Sequence, residues 1–167
     1  MRIILSYKKK DMNQGKEVNS TLTNLYKFTN ILFVVSAIIF NIGISGVYLS
    51  SKFNNEVFRQ TFGTIVVVLL IPFTVSLIIY IKKKVEKKII LSLLIIFFYL
   101  VLEIVFDYIL KIPFRDILAL HIPYIIVFYA ASFSMIGVSF NINRKMGFIV
   151  LSTFWILIGC LIYMYLG

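Results

Sequence analysis

The sequence predicts an all-α polytopic membrane protein, a compact bundle of five transmembrane helices with the N-terminus inside the cell and the C-terminus outside. The composition is 60% hydrophobic and 14% charged, and the mean hydropathy is +0.97. Five apolar runs of about 20 residues each are long enough to cross the ~30 Å hydrocarbon core at about 1.5 Å per residue. Lysine and arginine residues fall mainly on alternate sides of these runs, and this asymmetry predicts the orientation.

The predicted helices follow from the continuity of the apolar runs, which lie at 31–50, 62–81, 89–110, 120–140 and 146–166. A water-soluble helix needs a polar face, and these runs have almost none. Backbone groups in lipid must be paired internally, which favours helices. A β-barrel would show alternation in segments of about 10 residues, and none is visible. Loops of about 5 to 10 residues leave no room for a soluble domain and predict that sequential helices are antiparallel neighbours.

The chain is predicted to divide into a basic cytoplasmic or interfacial segment at 1–30 and a transmembrane domain at 31–167. Val18, Leu22, Leu25 and Tyr26 recur at helical spacing with Lys16 and Lys27 nearby, as expected for a helix lying on the membrane surface. A disordered tail is the alternative. No cleavable signal peptide is expected, because the first apolar run is long enough to span the membrane.

Most of the 17 lysine and arginine residues lie on one predicted side, which positive-inside asymmetry assigns to the cytoplasm. They are Arg2, Lys8, Lys9, Lys10, Lys16, Lys27, Lys82, Lys83, Lys84, Lys87, Lys88, Arg144 and Lys145. The opposite side carries Lys52, Arg59, Lys111 and Arg115. The sequence therefore predicts a multi-pass protein of the cell membrane with an external C-terminus.

The net charge of +10 is explained by this juxtamembrane anchoring. Anionic lipid headgroups on the cytoplasmic side are the expected contacts of the lysines. No nucleic-acid partner is expected, because no RNA- or DNA-binding motif occurs. A homo-oligomer or a membrane-protein partner is compatible with the sequence.

Small residues mark the helix faces where backbones can approach closely. They predict packing through Gly43 and Gly46 in the first run, through Ala130, Ser134 and Gly137 in the fourth, and through Gly159 in the fifth. Packing within the chain and a dimer seam are both compatible with these positions. Pro72 lies in the middle of the second run, where it removes one backbone hydrogen bond and is expected to bend the helix.

Tyrosines near the ends of the predicted helices indicate an aromatic belt at the membrane interfaces. The residues concerned are Tyr26, Tyr48, Tyr80, Tyr108, Tyr163 and Tyr165.

Glu103 and Asp107 are the most informative local feature, because both lie inside the third apolar run. Four-residue spacing places them on one α-helical face, and Tyr99 and Lys111 continue that stripe. Ionisable residues at this depth are costly and rarely face lipid. In a structural interpretation, Asp107 pairs with Lys111, and Glu103 stays protonated or hydrogen-bonds a neighbouring helix. In a functional one, the two acids bind a proton, a cation or a basic group of a ligand.

Other polar residues are expected at the same depth or just outside it, which predicts a polar cavity open to the outside. The candidate ligand-binding residues are Asn41, Glu103, Asp107, Lys111, Arg115, Asp116, His121 and Tyr124. His121 is expected to cap the fourth helix or to lie at the interface. This histidine and the acids lack the spacing of a metal site, so no metal is expected.

No nucleotide-binding loop, serine elbow or zinc-protease helix occurs, so neither a catalytic residue nor a cofactor is predicted. The single cysteine, Cys160, excludes an intramolecular disulfide. The favoured function is a non-enzymatic membrane subunit or accessory protein that acts through helix–helix contacts. The first alternative is a small transporter, channel or ligand-binding protein with an outward-facing acidic site, and the second is a membrane-embedded lipid-modifying enzyme.

Overall fold

The structure is a computed structural model that describes the backbone of residues 2–110 and 117–166 and the side chains of residues 23–110 and 117–166. These residues form helices and no strand. The helices are α1 (Arg2–Lys52), α2 (Glu56–Val68), α3 (Leu70–Lys82), α4 (Lys87–Glu103), a π-helical continuation of α4 (Ile104–Ile109), α5 (Leu118–Ile142) and α6 (Arg144–Leu166). The all-α prediction is confirmed for these residues.

Within the described residues, five helical stretches are long and apolar enough to cross a membrane, as predicted. They are Thr23–Lys52, Glu56–Lys82, Lys87–Ile109, Leu118–Ile142 and Arg144–Leu166. Each is longer than the apolar run that predicts it, because a helix continues into the polar residues that flank a hydrophobic segment. The backbone of α1 is helical from Arg2, although the sequence left a disordered N-terminal tail open as an alternative.

α1 is the central helix of the bundle. It packs against α2, α3, α5 and α6, and it is the most buried of the five stretches. α4 packs against α3 and α5, and α5 packs against α6, so the other helices close around α1. Phe33, Ala37 and Phe40 line the inner face of α1 and are fully buried. We call the end of the bundle at residues 82–88 and 144–145 the lysine-rich end, and the end at residues 52–56 the lysine-poor end.

Two glycines of α1 allow α2 to approach closely. A Cβ atom at Gly46 would lie 2.6 Å from Cγ of Phe62, and one at Gly43 would lie 2.8 Å from Cγ2 of Val66. Real Cβ atoms do not come so close to other atoms, so a larger residue would push the two helices apart. Gly43 and Gly46 therefore set the separation of α1 and α2.

The second candidate span is interrupted at Leu69, between α2 and α3. Pro72 explains the position, because a proline donates no N–H and its ring crowds the carbonyl group four residues before it, here that of Val68. At the interruption the N–H of Leu69 bonds the carbonyl oxygen of Val66 at 3.2 Å, which is the tighter i−3 pattern. The two halves of the span then pack separately against α1.

The small residues of α5 and α6 behave differently from those of α1. A Cβ atom at Gly137 or at Gly159 would meet nothing within 4 Å. Both glycines face outward, so neither serves a close helix approach within the described part of the chain. Ala130 and Ser134 are half-buried. The expected packing role of Gly137 and Gly159 within the chain is therefore not seen, because helix rotation places them on the outer surface.

Candidate functional site

Glu103 is the last residue of α4 and lies toward the lysine-poor end of the bundle. Only 6% of its surface is exposed, although it belongs to a stretch of otherwise apolar residues. Burial follows from its position on the face of α4 that also carries Ile96, Tyr99 and Leu100, all of which are fully buried. The sequence pattern thus places a carboxyl group inside the bundle, between α4 and α5.

Two tyrosine hydroxyl groups converge on one oxygen of this carboxyl group. Tyr99, one turn earlier on α4, donates to Oε2 of Glu103 over 3.2 Å. Tyr124, from α5, donates to the same oxygen. The two hydroxyl oxygens lie 2.9 Å from each other. The three oxygens therefore form a triangle in which every pair is in contact, and the triangle joins two candidate spans.

Aromatic side chains hold Tyr99 in place. Its ring centroid lies 5.7 Å from that of Phe40 on α1 and 5.6 Å from that of Phe128 on α5. The ring of Tyr124 lies 5.6 Å from that of Tyr99. Such tilted and edge-on pairs are the favoured arrangements of aromatic rings. Contacts with α1 and α5 thus fix the position of Tyr99, which belongs to the fully buried core.

The backbone changes from α-helix to π-helix directly after Glu103. The hydrogen-bond spacing shows the wider turn: the N–H of Leu110 donates to the carbonyl oxygen of Val105, five residues earlier, at 2.8 Å. π-helical turns are rare in proteins, and those that do occur are often found at functional sites. Asp107 lies in this segment and is half-buried. The expected alignment of Glu103 with Asp107 assumed α-helical spacing, so the π-helical turn alters the angle between them.

The π-helical segment also brings Tyr108 to α2. Its hydroxyl oxygen lies 3.3 Å from Oγ1 of Thr64. A Cβ atom at Gly63 would lie 3.4 Å from the same hydroxyl oxygen, which is an ordinary van der Waals contact. Tyr108 was predicted as an aromatic-belt residue. The structure gives it in addition a polar partner on α2, which hydropathy alone does not reveal, and its place in the belt stays a prediction.

An apolar cavity of about 190 Å³ lies between α4 and α5 next to Tyr124, and it opens to the outer surface of the bundle, where Phe98 is 53% exposed. Its lining residues are Phe98, Leu102, Phe106, Leu120, Pro123, Tyr124 and Val127. Tyr124 is the polar member of this lining, and its hydroxyl group points to Glu103. The side chain of Tyr124 therefore lines the cavity and also contacts the buried carboxyl group.

Of the remaining predicted site residues, the structure describes Asn41 and His121. Asn41 directs its amide to α6, where Nδ2 lies 2.8 Å from Oγ1 of Thr153 and 3.3 Å from the carbonyl oxygen of Val150. Oδ1 of Asn41 is buried and has no hydrogen-bond partner among the described residues. Lys111, Arg115 and Asp116 lie outside the described residues.

His121 lies in the first turn of α5 and does not occupy its N-cap position, which was one of its two expected places; the other, at the membrane interface, stays a prediction. Ile117 occupies the N-cap position, and the N–H of His121 bonds its carbonyl oxygen at 2.9 Å. The side chain of His121 is half-buried. The helix begins at Leu118, two residues before the apolar run at 120–140, so His121 lies further from the helix start than the run predicts.

A second polar contact occurs toward the lysine-rich end, and the sequence pattern did not indicate it. The hydroxyl group of Tyr80 donates to Oδ1 of Asn30 at 2.8 Å. Tyr80 is 1% exposed and packs against Tyr26 with ring centroids 5.7 Å apart. Its predicted place in an aromatic belt is therefore wrong, because the ring is enclosed by protein.

No three histidine, cysteine, aspartate or glutamate side chains within the described residues converge as metal ligands. The arrangement at Glu103 is suited to holding a proton, or to pairing with a positively charged group. No family model matches this chain, and searches of curated proteins and of solved structures find no match to it.

Proposed function

We propose that this chain is an integral membrane protein that binds a proton, or the cationic group of a small ligand, at Glu103. Such a protein is a small transporter, channel or ligand-binding protein. The observation that carries the proposal is the buried carboxyl group of Glu103, whose Oε2 accepts hydrogen bonds from Tyr99 and Tyr124 on two different helices.

The energetic cost of this carboxyl group supports a functional role. Ionisable residues inside transmembrane helices are costly, and they commonly mark ligand sites and proton relays. A structural hydrogen bond between α4 and α5 needs no ionisable partner, since a serine or an asparagine provides one at lower cost. A glutamate in this position adds the capacity to gain and lose a proton.

The number of protons supports the same proposal. Three contacts join the oxygens of Tyr99, Tyr124 and Glu103, and the two hydroxyl groups supply two protons. A proton on the carboxyl group supplies the third donor and completes a ring of hydrogen bonds. When this proton leaves, the two hydroxyl groups can both donate to the carboxylate. The three groups can therefore stay hydrogen-bonded whether Glu103 is neutral or ionised, and only the hydroxyl hydrogens need to rotate.

The positive-inside rule assigns the site to the outer half of the membrane. The lysine-rich end is the cytoplasmic one in this assignment, and Glu103 lies toward the opposite end. Protons or ligands would then reach Glu103 from outside the cell or from the outer leaflet.

A carbodiimide experiment tests the proposal directly. Hydrophobic carbodiimides react with protonated carboxyl groups in apolar surroundings, and mass spectrometry locates the modified residue. In protein reconstituted into lipid vesicles, we expect labelling at Glu103 that rises as the pH falls and slows when a binding cation is added. Glu103→Gln should abolish the labelling at this position, and Asp107→Asn should preserve it. Absence of labelling at Glu103 throughout the physiological pH range would contradict the proposal.

A second candidate function, self-association through helix contacts, is favoured by the outer face of α6. This helix is the least buried of the five candidate spans. One stripe along it consists of residues at heptad-like spacing, namely Phe148, Ser152, Trp155, Gly159 and Ile162. Trp155 is 65% exposed in the middle of the helix, between the two small residues. A parallel copy of α6 would fit its own tryptophan into the space above Gly159 and Ser152.

Disulfide cross-linking tests this second candidate. In a Cys160→Ser background, single cysteines are introduced as Ser152→Cys or Gly159→Cys, and membranes are oxidised. We expect cross-linked dimers at both positions. Leu91→Cys on α4 is the matched control, because Leu91 is 60% exposed on another helix. Equal cross-linking at Leu91→Cys would show random collision and would exclude a specific α6 interface.

A further inference from the structure

We infer that the lysine-rich end of the bundle binds an anionic phospholipid at a surface formed by α5 and α6. The phosphate of this lipid pairs with Arg144, and one of its acyl chains lies along Phe148 and Phe140 and over Gly137. The inference goes beyond the proposed function, because Glu103 lies toward the opposite end of the bundle and takes no part in this site.

The position of the Arg144 side chain indicates a partner at the membrane surface. Arg144 is the first residue of α6, and its guanidinium carbon lies 5.8 Å from the ring centroid of Phe148, one turn further along the helix. Because α6 runs from the lysine-rich end into its apolar sequence, the guanidinium group is turned back toward the hydrocarbon region. Cationic side chains near the ends of membrane helices usually keep their charge in water instead. At the depth of the Phe148 ring, lipid phosphate groups are the nearest anions.

Contacts with α5 hold the ring under this guanidinium group. The ring of Phe148 lies 5.2 Å from that of Phe140 at an interplanar angle of 79°, an edge-on arrangement. A Cβ atom at Gly147 would overlap the ring of Phe140, so this glycine allows the ring to reach α6. Phe148 nevertheless remains 50% exposed. The support of the Arg144 side chain is therefore fixed by protein contacts and accessible from the membrane.

Charge complementarity indicates that the partner is an anion. The sequence has no aspartate or glutamate after Asp116, so neither α5 nor α6 contains an acid. Arg144 and Lys145 form no ion pair with any described residue. Two cations in the first turn of a helix are also unfavourable with its dipole, so they do not stabilise α6 itself. A guanidinium group binds phosphate through two parallel N–H donors, which makes a phosphate group the suitable partner.

Gly137 indicates where an acyl chain lies. It is four residues after Phe133 and three before Phe140 on one side of α5, and a Cβ atom there would meet nothing within 4 Å. Phe133 is 60% exposed, so the glycine leaves a gap between two rings at the outer surface. This gap lies about 7.5 Å deeper than the end of α5 at Ile142. A chain that enters it therefore begins at the depth of a phosphate group held by Arg144.

Native mass spectrometry of the protein in detergent tests the inference, because it counts single bound lipid molecules. The probes are phosphatidylglycerol, which is anionic, and phosphatidylcholine, which is zwitterionic, with identical acyl chains. At an ionic strength of about 0.15 M, exposed charges further apart than about 8 Å are largely screened, so that attraction to the net charge is small. We expect phosphatidylglycerol to bind wild type at about tenfold lower concentration than phosphatidylcholine.

Arg144→Gln should weaken binding of phosphatidylglycerol about tenfold and leave binding of phosphatidylcholine within about twofold of wild type. Lys82→Gln is the matched control, since it removes one positive charge at the same end of the bundle. Lys82 lies in the last turn of α3, which packs against α1, α2 and α4 and not against the surface in question. Its substitution should change binding of phosphatidylglycerol by less than about twofold.

Gly137→Leu fills the gap and should weaken binding of phosphatidylglycerol about fivefold or more. Gly159→Leu is its control, because a Cβ atom at Gly159 also meets nothing within 4 Å. Gly159 lies about 22 Å from Arg144 along α6. Both substitutions point into open space, so both proteins are expected to fold, and only Gly137→Leu should lose affinity for the lipid.

Each of four outcomes would overturn the inference. Equal binding of the two lipids would show that an anionic headgroup is not recognised. Equal weakening by Arg144→Gln and Lys82→Gln would show a general attraction to positive charge. Equal affinity of the Gly137→Leu and Gly159→Leu proteins would show that no acyl chain lies in the gap. Oxidative cross-linking of Gly137→Cys into dimers, in a Cys160→Ser background, would assign the gap to a second copy of the chain.

Discussion

Nδ2 of Asn41 lies 2.8 Å from Oγ1 of Thr153, and this hydrogen bond joins residues that are 112 positions apart in the chain. It connects the central helix α1 with the last helix, α6. The same amide group leaves Oδ1 of Asn41 buried and without a partner among the described residues. Nδ2 of Asn41 therefore makes a stabilising hydrogen bond, whereas the burial of Oδ1 costs free energy.

We expect the Asn41–Thr153 pair to contribute about 0.6 kcal/mol of coupling energy, and at most about 1.7 kcal/mol, which is the range of interhelical hydrogen bonds in membrane proteins. A double-mutant cycle with Asn41→Ala and Thr153→Val, followed by unfolding in mixed micelles with rising SDS, measures it. Ser152→Ala is the matched control, because the hydroxyl group of Ser152 bonds the carbonyl oxygen of Phe148 on its own helix. Coupling of equal size between Asn41→Ala and Ser152→Ala would contradict the assigned pairing.

Gly46→Ala should destabilise the protein by about 1–3 kcal/mol, the usual cost of overpacking. The added methyl group would lie 2.6–2.7 Å from ring atoms of Phe62, including Cγ, which cannot move without moving the side chain. Gly137→Ala is the control, since nothing lies within 4 Å of a Cβ atom there. It should keep or slightly raise the free energy of unfolding, as alanine favours a helix over glycine by up to about 1 kcal/mol. If both substitutions have the same effect, close packing of α1 on α2 is not what requires Gly46.

Replacing Glu103 separates its charge from its role as a hydrogen-bond acceptor. Glu103→Gln keeps an oxygen that Tyr99 and Tyr124 can reach, so we expect the free energy of unfolding to stay within about 1 kcal/mol of wild type. Glu103→Leu deprives two hydroxyl groups of their shared acceptor and should cost about 1–3 kcal/mol. Denaturant unfolding of the three proteins measures both values. A glutamine variant as unstable as the leucine variant would indicate that the ionised carboxylate is itself a structural requirement.

Tyr80→Phe should lower the free energy of unfolding by about 1–2 kcal/mol, because it leaves Oδ1 of Asn30 without the donor it has in wild type. The ring and its contact with Tyr26 are preserved in this variant. Tyr165→Phe is the control for loss of a phenol hydroxyl group, as Tyr165 is 70% exposed near the end of α6. Its unfolding should match that of wild type. Equal losses in both variants would place the effect outside the Tyr80–Asn30 contact.

Hydropathy was sufficient to predict five helical stretches long and apolar enough to cross a membrane, because a chain segment in lipid must be both apolar and internally hydrogen-bonded. It also identified Glu103, since a carboxyl group in an apolar run stands out without knowledge of the neighbours. It was not sufficient to predict partners. Asn41 and Tyr124 both carry polar groups at a suitable depth, and only Tyr124 is directed to Glu103, while Asn41 is directed to α6.

The rotation of each helix about its axis explains this limit. Nearly all faces of these helices are apolar, so the sequence carries little information on which face is turned inward. Gly43 and Gly137 illustrate the difficulty, because one sets a helix contact and the other faces outward. Tyr80 is a further example, since a tyrosine near a helix end is compatible with a membrane interface and with the protein interior.

The π-helical turn at Ile104–Ile109 can be understood as an α-helix that carries one residue too many. Deleting a single residue within it would restore α-helical pairing, leave Glu103 and Tyr99 where they are, and rotate Tyr108 away from Thr64. The bond that joins α2 to the end of α4 therefore depends on the length of the chain as much as on its side chains. One inserted or lost codon could create or remove it without any amino-acid substitution.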